Sequence, residues 1–390
     1  MTTANTTTSG ERFYFDHAAT SPMRESAIEA WVRHARDLNP GGQYGSGRAA
    51  QGVLDDAREE IASLVGAEPT EVIFTASGTE ADNIALQGLF ASSQAAGGQG
   101  RNRVVVSSVE HPAIKEPARL LESRGAALEV VPVDETGHVT DLSALDEPAG
   151  VAALMVANNE TGAIQPAREF AARAAKAGTP VHLDAVQATG RIPVDFHELG
   201  ATTLAASAHK FGGPRGIGFL LARRSPAPTP ILVGGGQERG IRPGTADVAS
   251  AAAMAAALKE AVGEMAGERK RVAALRDRLK VGILERIDDV VVNTAEPAMP
   301  GHLSVSFPGA EGDSLIMLLD TLGVEAATGS ACGNGVNRAS DVLLAMGVEE
   351  RTARGTVRFT LGPRSTDQGV DFLIDRLPEV VSRARAAGMA

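Results

Sequence analysis

The sequence predicts an α/β protein built on a mostly parallel sheet. Short runs of Val, Ile, Leu and Ala alternate with longer alanine-rich segments along the 390 residues. Apolar residues make up 43% of the chain, which is enough for a substantial core. Apolar runs that alternate with helical segments are typical of doubly wound sheets. We therefore expect a large domain with roughly seven sheet strands, followed by a smaller α+β domain.

The elements are predicted from apolar runs and their periodicity. An extended segment is expected at 13–20, a loop at 39–48, a helix at 49–65, and a long alanine-rich helix from about 246. The strands of the large domain are expected at 71–74, 103–108, 128–133, 152–157, 181–187, 203–206 and 216–221. In the smaller domain, strands are expected at 303–307 and 357–361, and a helix at 313–322.

The domain boundaries follow from these elements. Residues 1–12 are rich in Thr, Ser and Asn and are predicted to be a disordered tail. The large domain is expected at 13–255, with its N-terminal segment packed on the small domain. The small domain is expected at 256–390 and carries Cys332 and Arg358.

Composition excludes several classes of function. The net charge is −11 and no block of Lys or Arg stands out, which argues against a nucleic-acid surface. The start of the chain has no apolar core typical of a signal peptide, and the apolar run at 249–258 is too short to span a membrane. The single cysteine, Cys332, gives neither an internal disulfide nor a two-cysteine metal motif. We expect a cytoplasmic enzyme without a metal.

Lys210 is the first candidate for chemistry. It lies between two apolar runs, flanked by His209 and by glycines. A lysine that is withdrawn from water at a strand end has a lowered pKa and can act as a nucleophilic amine. Such an amine suits a Schiff base with an aldehyde cofactor, of which pyridoxal phosphate is the common one. For this stretch alone, a surface lysine in a glycine-rich hairpin is the favoured interpretation.

Other polar residues follow neighbouring strands. Segment 75–83 suits a phosphate bound at a helix N-terminus, or equally an ordinary N-cap at Ser77 or Thr79. Asp184 ends an apolar strand, where a carboxylate needs a cation such as a protonated pyridine nitrogen. His111 alone is more typical of a loop residue. Ligands of such sheets bind at the carboxyl ends of strands, where we expect Gly78, Thr79, His111, Asn159, Asp184, Gln187, His209 and Lys210.

From Tyr14 to about Leu377 these motifs resemble, in order, those of the cysteine desulfurases, fold type I pyridoxal-phosphate enzymes of the class-V aminotransferase-like group. The resemblance implies that Lys210 binds the cofactor and later moves protons. Asp184 would pair with the ring nitrogen and Gln187 would bond the ring hydroxyl. His111 would stack on the ring and assist proton transfer. The phosphate would be held by Gly78, Thr79, Ser207 and His209, with Thr245 reaching in from the other subunit of a homodimer.

The resemblance also implies a reaction. Asn159 and Arg358 would bind the carboxylate of L-cysteine, and Cys332 would take its sulfur as a persulfide while L-alanine leaves. An acceptor protein would dock near the Cys332 loop and receive the sulfur for iron–sulfur clusters, thio-tRNA, cofactors or DNA sulfur modification. Seven residues separate Cys332 from Ser340, as in the long-loop group of the family.

Two stretches depart from the family pattern. Gly333-Asn334-Gly335 stands where Ser/Thr-rich sequence is usual, and 362–364 also differs, although neither departure removes a catalytic residue. Two alternatives stay open. One is a selenocysteine lyase, or another lyase or epimerase of the same fold. The other is a catalytically silent interaction platform.

Overall fold

The structure, a computed structural model, describes residues 12–97, 101–329 and 339–388. The predicted tail therefore lies outside the described residues except for Arg12, and so does Cys332 with its loop. The strands in the described ranges are β1 (Phe13–Tyr14), β2 (Val72–Thr75), β3 (Arg103–Ser107), β4 (Ala127–Val131), β5 (Val151–Met155), β6 (Val181–Asp184), β7 (Thr203–Ser207), β8 (Gly218–Ala222), β9 (Val291–Val292), β10 (His302–Ser306), β11 (Val324–Glu325) and β12 (Thr356–Thr360). The helices there are α1 (Glu25–His34), α2 (Gly45–Leu64), α3 (Gly78–Ala96), α4 (Pro112–Ser123), α5 (Ala167–Lys176), α6 (Phe196–Leu199), α7 (Val248–Arg286), α8 (Gly312–Thr321), α9 (Asp341–Ala345), α10 (Glu350–Arg354) and α11 (Asp367–Gly388).

The central sheet has seven strands in the order β2-β8-β7-β6-β5-β3-β4. Neighbours from β4 to β7 are parallel, and β8 runs antiparallel to both β2 and β7. The α/β class and the mostly parallel seven-stranded sheet predicted from the sequence are confirmed.

Both faces of this sheet are buried. On β3, Val105 belongs to one apolar cluster, together with Leu154 and residues of α2, α5 and α7. Val104 and Val106 belong to another cluster, together with residues of α3 and α4. Because side chains alternate across a strand, a strand that is covered on both faces needs apolar residues at every position. This explains the continuous apolar runs in the sequence.

Predicted and observed element bounds differ at several ends, and two of them differ by three residues or more. The strand expected at 181–187 ends at Asp184, because the Asp184 carboxylate accepts the main-chain N–H of Val186 (2.9 Å) and turns the chain. The helix expected at 49–65 begins at Gly45, inside the predicted loop. A Cβ at Gly47 would lie 2.3 Å from the carbonyl oxygen of Gly42, so glycine allows this close backbone approach.

A second apolar core forms around the antiparallel sheet β12-β10-β9. Phe15 belongs to this core, and β1 pairs with β11. Helix α7 contributes to both cores, with Ala251 to Ala261 in the first and Val272 to Ile283 in the second. The predicted boundary at 255/256 therefore falls within one continuous helix. Across the described ranges, no helix combines the length and apolarity needed to cross a membrane.

Candidate active site

Lys210 lies at the edge of the sheet where the parallel strands end. A short 3₁₀ turn, Ala208–Lys210, directly follows β7. The Lys210 ammonium donates hydrogen bonds to the carbonyls of Ala18 (2.6 Å) and Ala19 (3.0 Å). Burial, together with the charges of Arg191 and Arg358, lowers the pKa of Lys210 to about 7. A substantial fraction of the chains therefore carries a neutral, nucleophilic amine at neutral pH.

Asp184 is a buried carboxylate beside this lysine. It ends β6, its exposed fraction is 6%, and burial raises its pKa. The nearby His111 and Lys210 oppose that rise. Desolvation of a carboxylate is unfavourable, so a cation seated against Asp184 would be held strongly.

His111 begins the helix that follows β3. It is the N-cap of α4, and Pro112 occupies the first helical position, where no N–H donor is needed. The His111 Nδ1 accepts the main-chain N–H of Ala113 (3.1 Å), and burial lowers the pKa of the ring. The imidazole is therefore neutral at pH 7 with its proton on Nε2.

Glu110, which the sequence analysis missed, fixes the turn that carries His111. Its carboxyl group accepts hydrogen bonds from the Ser107 hydroxyl (2.6 Å) and the Met155 main-chain N–H (2.9 Å). Burial raises the pKa of Glu110 to about 8. These bonds join the ends of the neighbouring strands β3 and β5.

The start of α3 has the shape of an anion cradle. Ser77 caps the helix by accepting the main-chain N–H of Glu80 (3.1 Å), so the N-cap alternative is confirmed for Ser77. A Cβ at Gly78, the first helical residue, would lie 2.6 Å from Val186 Cγ2 and 3.3 Å from Ser207 Cβ. Glycine therefore allows the start of α3 to pack closely against Val186 and Ser207. The main-chain N–H groups and the helix dipole at this N-terminus favour an anion.

His209 and Gln187 are both tied to the N-terminal segment. The His209 Nδ1 lies 3.2 Å from the Thr20 hydroxyl, and burial lowers the pKa of His209 to about 4. The Gln187 amide donates to the carbonyl of Ala18 (2.9 Å). This segment carries Ala18, Ala19 and Thr20, whose proximity to Lys210 the sequence analysis did not predict.

Arg358 reaches the site from the second core. It lies on β12, and its side chain is 7% exposed. Its Nη1 donates to the main-chain carbonyl of Asn159 (3.0 Å), and its Nη2 to the Asp16 carboxylate (2.6 Å). Its Nε is buried without a hydrogen-bond partner.

Arg191 was also missed, because no motif distinguishes it. It donates to the carbonyls of His17 and Lys210 (2.7 Å to the latter) and lies 3.3 Å from Gln187 Oε1. Burial lowers its pKa to about 10, so it remains a cation at neutral pH.

One cavity of about 300 Å³ brings the candidates together. Ten sequence-predicted residues line it: Gly78, Thr79, His111, Asn159, Asp184, Gln187, Ser207, His209, Lys210 and Arg358. Thr245 is exposed and does not line the cavity of its own chain. In the described part of the chain, no cluster of three or more His, Cys, Asp or Glu side chains is arranged to hold a metal ion.

The doubly wound α/β sheet presents a partly buried lysine and a buried carboxylate where neighbouring strands end. This arrangement defines a class of enzyme that works through an aldehyde cofactor. Residues 13–373 match the class-V aminotransferase family. This chain belongs to that family, whose members depend on pyridoxal phosphate and share fold type I.

Known proteins resemble the chain over nearly its full length. An IscS-like cysteine desulfurase of Mycobacterium tuberculosis is 44% identical over 386 residues, which cover 97% of this chain and 98% of that protein. The solved structure of a NifS-like protein is 32% identical with a TM-score of 0.87, over 96% of this chain and all of that one. A structure of SspA in complex with cysteine has 26% identity and a TM-score of 0.77, over 91% of this chain and all of that one.

Proposed function

We propose that this chain is a cysteine desulfurase, which converts L-cysteine to L-alanine and takes the sulfur as a persulfide on Cys332. The observation that carries the proposal is one cavity lined by the lysine amine, the buried aspartate, the start of α3 at Gly78 and a buried arginine. The relatives named as cysteine desulfurases and the structure containing cysteine support the same reaction.

The residues of the cavity fit pyridoxal phosphate. Gly78 lets the start of α3 pack closely against Val186 and Ser207, and the main-chain N–H groups of this helix start suit a phosphate. The pKa of Lys210 is lowered to about 7, so a substantial fraction of its amine is neutral at pH 7, and Asp184 is a buried carboxylate suited to a protonated ring nitrogen. Gly78, Thr79, Ser207 and His209 would hold the phosphate, Gln187 the ring hydroxyl and His111 the ring face. When bound, the cofactor withdraws electrons from the substrate and so weakens the bond between its β-carbon and sulfur.

The side chains divide the remaining tasks. Arg358 and Asn159 bind the substrate carboxylate, and the planar guanidinium makes two parallel hydrogen bonds that an ammonium cannot copy. The amine of Lys210 takes the proton from the substrate α-carbon and returns a proton later. His111, neutral with its proton on Nε2, is a second group that exchanges a proton in the cavity.

Cys332 completes the sulfur transfer. Its thiolate attacks the substrate sulfur, a sulfur–sulfur bond forms, and the carbon–sulfur bond breaks with its electron pair left on carbon. A proton added to that carbon gives alanine. The balance is cysteine plus enzyme thiol to alanine plus enzyme persulfide, so no external oxidant or reductant is needed for this half-reaction.

We propose further that the enzyme works as a homodimer in the cytoplasm. Thr245 is exposed and unused in its own cavity, and the preceding loop presents exposed apolar side chains, among them Val233 (96% exposed). In the homodimer, the second subunit would cover this loop. Thr245 would then reach the phosphate bound in the cavity of that second subunit. A lone cysteine that must stay a free thiol suits a reducing compartment. An acceptor protein would dock near Cys332 and take the sulfur onward.

The test uses purified holoenzyme with L-cysteine and no reductant. We expect alanine to form together with a persulfide on Cys332, detected by intact mass and peptide mapping. Cys332→Ser should carry no persulfide and lose alanine formation. Equal alanine formation by this variant would contradict the proposal and favour a lyase, which a preference for L-selenocysteine would identify. Cofactor-free protein that forms no alanine even after incubation with pyridoxal phosphate would instead support a silent platform.

A further inference from the structure

The N-terminal segment 15–20 is held against β12 by a set of main-chain bonds. The main-chain N–H of Thr360 donates to the Phe15 carbonyl (2.7 Å), and the Ala18 N–H donates to the Thr360 hydroxyl (2.8 Å). Arg358 and Thr360 are two positions apart on β12, so their side chains project from the same face of the strand. Asp16 is thereby brought to the side of β12 on which Arg358 stands.

The resulting ion pair is short and largely withdrawn from water. The Arg358 Nη2 donates to Asp16 Oδ1 over 2.6 Å, and the Asp16 side chain is 19% exposed. A guanidinium has five N–H donors in one plane. One of these N–H groups donates to the Asp16 carboxylate and another to the Asn159 carbonyl, while the buried Nε has no hydrogen-bond partner. Asp16 therefore sets the plane of the guanidinium and leaves further donors available.

Asp16 also offsets a local excess of positive charge. Burial, Arg191 and Arg358 lower the pKa of Lys210, whereas the negative charges of Asp184 and Asp16 raise it. Without Asp16, the buried guanidinium of Arg358 would lose its carboxylate partner and the orientation that this partner imposes.

We propose that Asp16 is a positioning residue of this site, whose carboxylate orients the Arg358 guanidinium so that its remaining donors meet the α-carboxylate of an amino-acid substrate. This inference rests on the proposed function, because it needs a substrate that carries a carboxylate. Asp16 makes no contact with the reacting atoms in this account. Its contribution is a guanidinium that is already oriented before the substrate arrives, which lowers the entropic cost of binding.

The test compares two ligands that differ by one carboxylate. Binding of L-alanine and of ethylamine to the holoenzyme is followed by the change in cofactor absorbance, for wild type, Asp16→Ala and Asp16→Asn. We expect Asp16→Ala to raise the dissociation constant of alanine about tenfold, the scale of a lost charged hydrogen bond, and to leave that of ethylamine unchanged. Asp16→Asn keeps an acceptor oxygen and should show a smaller rise.

Asp367→Asn is the matched control. It removes the charge from an ion pair with Arg278 (2.8 Å) on the surface, where the Asp367 side chain is 79% exposed. It should leave the dissociation constants of both ligands unchanged. Tighter alanine binding by Asp16→Ala would overturn the proposal, because Asp16 would then compete with the substrate. Equal weakening of both ligands would mean a structural role and would also overturn it. Failure of the proposed function would be separate: wild type would then form no alanine from cysteine.

Discussion

The two parts of the candidate site are assembled in different ways. The residues from Gly78 to Lys210 stand at the ends of neighbouring strands in one sheet, where the ladder itself fixes their spacing. Arg358 and Asp16 are 342 positions apart and meet only because the N-terminal segment pairs with β12. In our proposal the first part holds the cofactor, and the second part, together with Asn159, recognises the substrate. Changes in the second part can therefore alter substrate recognition while the cofactor remains bound.

Arg358→Lys should give the largest effect. It should impair substrate binding by the second part of the site and leave the first part intact. Lysine keeps the charge but loses the planar pair of donors toward both Asp16 and the substrate. We expect KM for L-cysteine to rise about a hundredfold with kcat within about threefold, since a buried charged pair is disrupted and proton transfer is not. Steady-state alanine formation measures both constants.

Arg278→Lys is the control for that substitution, because Arg278 makes exposed ion pairs with Asp367 and Asp371. It should leave KM unchanged. A loss of kcat at constant KM in Arg358→Lys would assign Arg358 to the chemical step and remove the division between the two parts.

Gly78→Ala should weaken cofactor binding by the first part of the site, with a smaller effect than that of Arg358→Lys. The new Cβ would lie 2.6 Å from Val186 Cγ2, so the start of α3 must shift and its N–H donors move. We expect the dissociation constant of pyridoxal phosphate to rise about tenfold, while pyridoxal, which lacks the phosphate, is unaffected. Absorbance titration of cofactor-free protein measures both constants.

Gly45→Ala is matched to Gly78→Ala, since Gly45 is also the first residue of its helix and a Cβ there would meet nothing within 4 Å. Its binding of pyridoxal phosphate should equal that of wild type. If Gly78→Ala weakened both cofactor forms equally, the cradle at α3 would not be the phosphate site.

The smallest expected effect is a displaced pH profile. The nucleophile is the deprotonated amine of Lys210, and its pKa is lowered from 10.5 to about 7. Deprotonated amine accumulates above the pKa, so the rate of pyridoxal phosphate capture by cofactor-free protein should rise up to about pH 7 and level off by about pH 8. Free Nα-acetyl-lysine is measured in parallel to correct for ionisation of the cofactor. The ratio of the Lys210 rate to the free-amine rate should be constant below about pH 7 and fall above it, because the free amine goes on deprotonating up to its pKa of about 10.4. Capture that goes on rising to pH 10 in parallel with the free amine would contradict the lowered pKa.

Sequence reasoning predicted the first part of the site better than the second, for physical reasons. Apolar runs that end in polar residues mark strand ends, so Asp184 and Lys210 could be predicted to meet. The pairing of Asp16 with Arg358 leaves no such mark, because it depends on where the N-terminal segment docks. Arg191 and Glu110 make hydrogen bonds with main-chain groups, and no local sequence pattern predicts such contacts. Arg358 was assigned from a family resemblance, since spacing alone does not bring β12 to the large sheet.

The central claim is that Lys210 is the amine that takes the cofactor in this cavity. Holoenzyme is treated with borohydride, digested, and searched by mass spectrometry for the lysine that carries the reduced pyridoxal phosphate adduct. We expect the adduct on Lys210 and none in Lys210→Ala, while the exposed Lys259, which pairs with Glu60, stays unlabelled. An adduct on Lys115 or Lys259 with Lys210 unlabelled would contradict this account of the site.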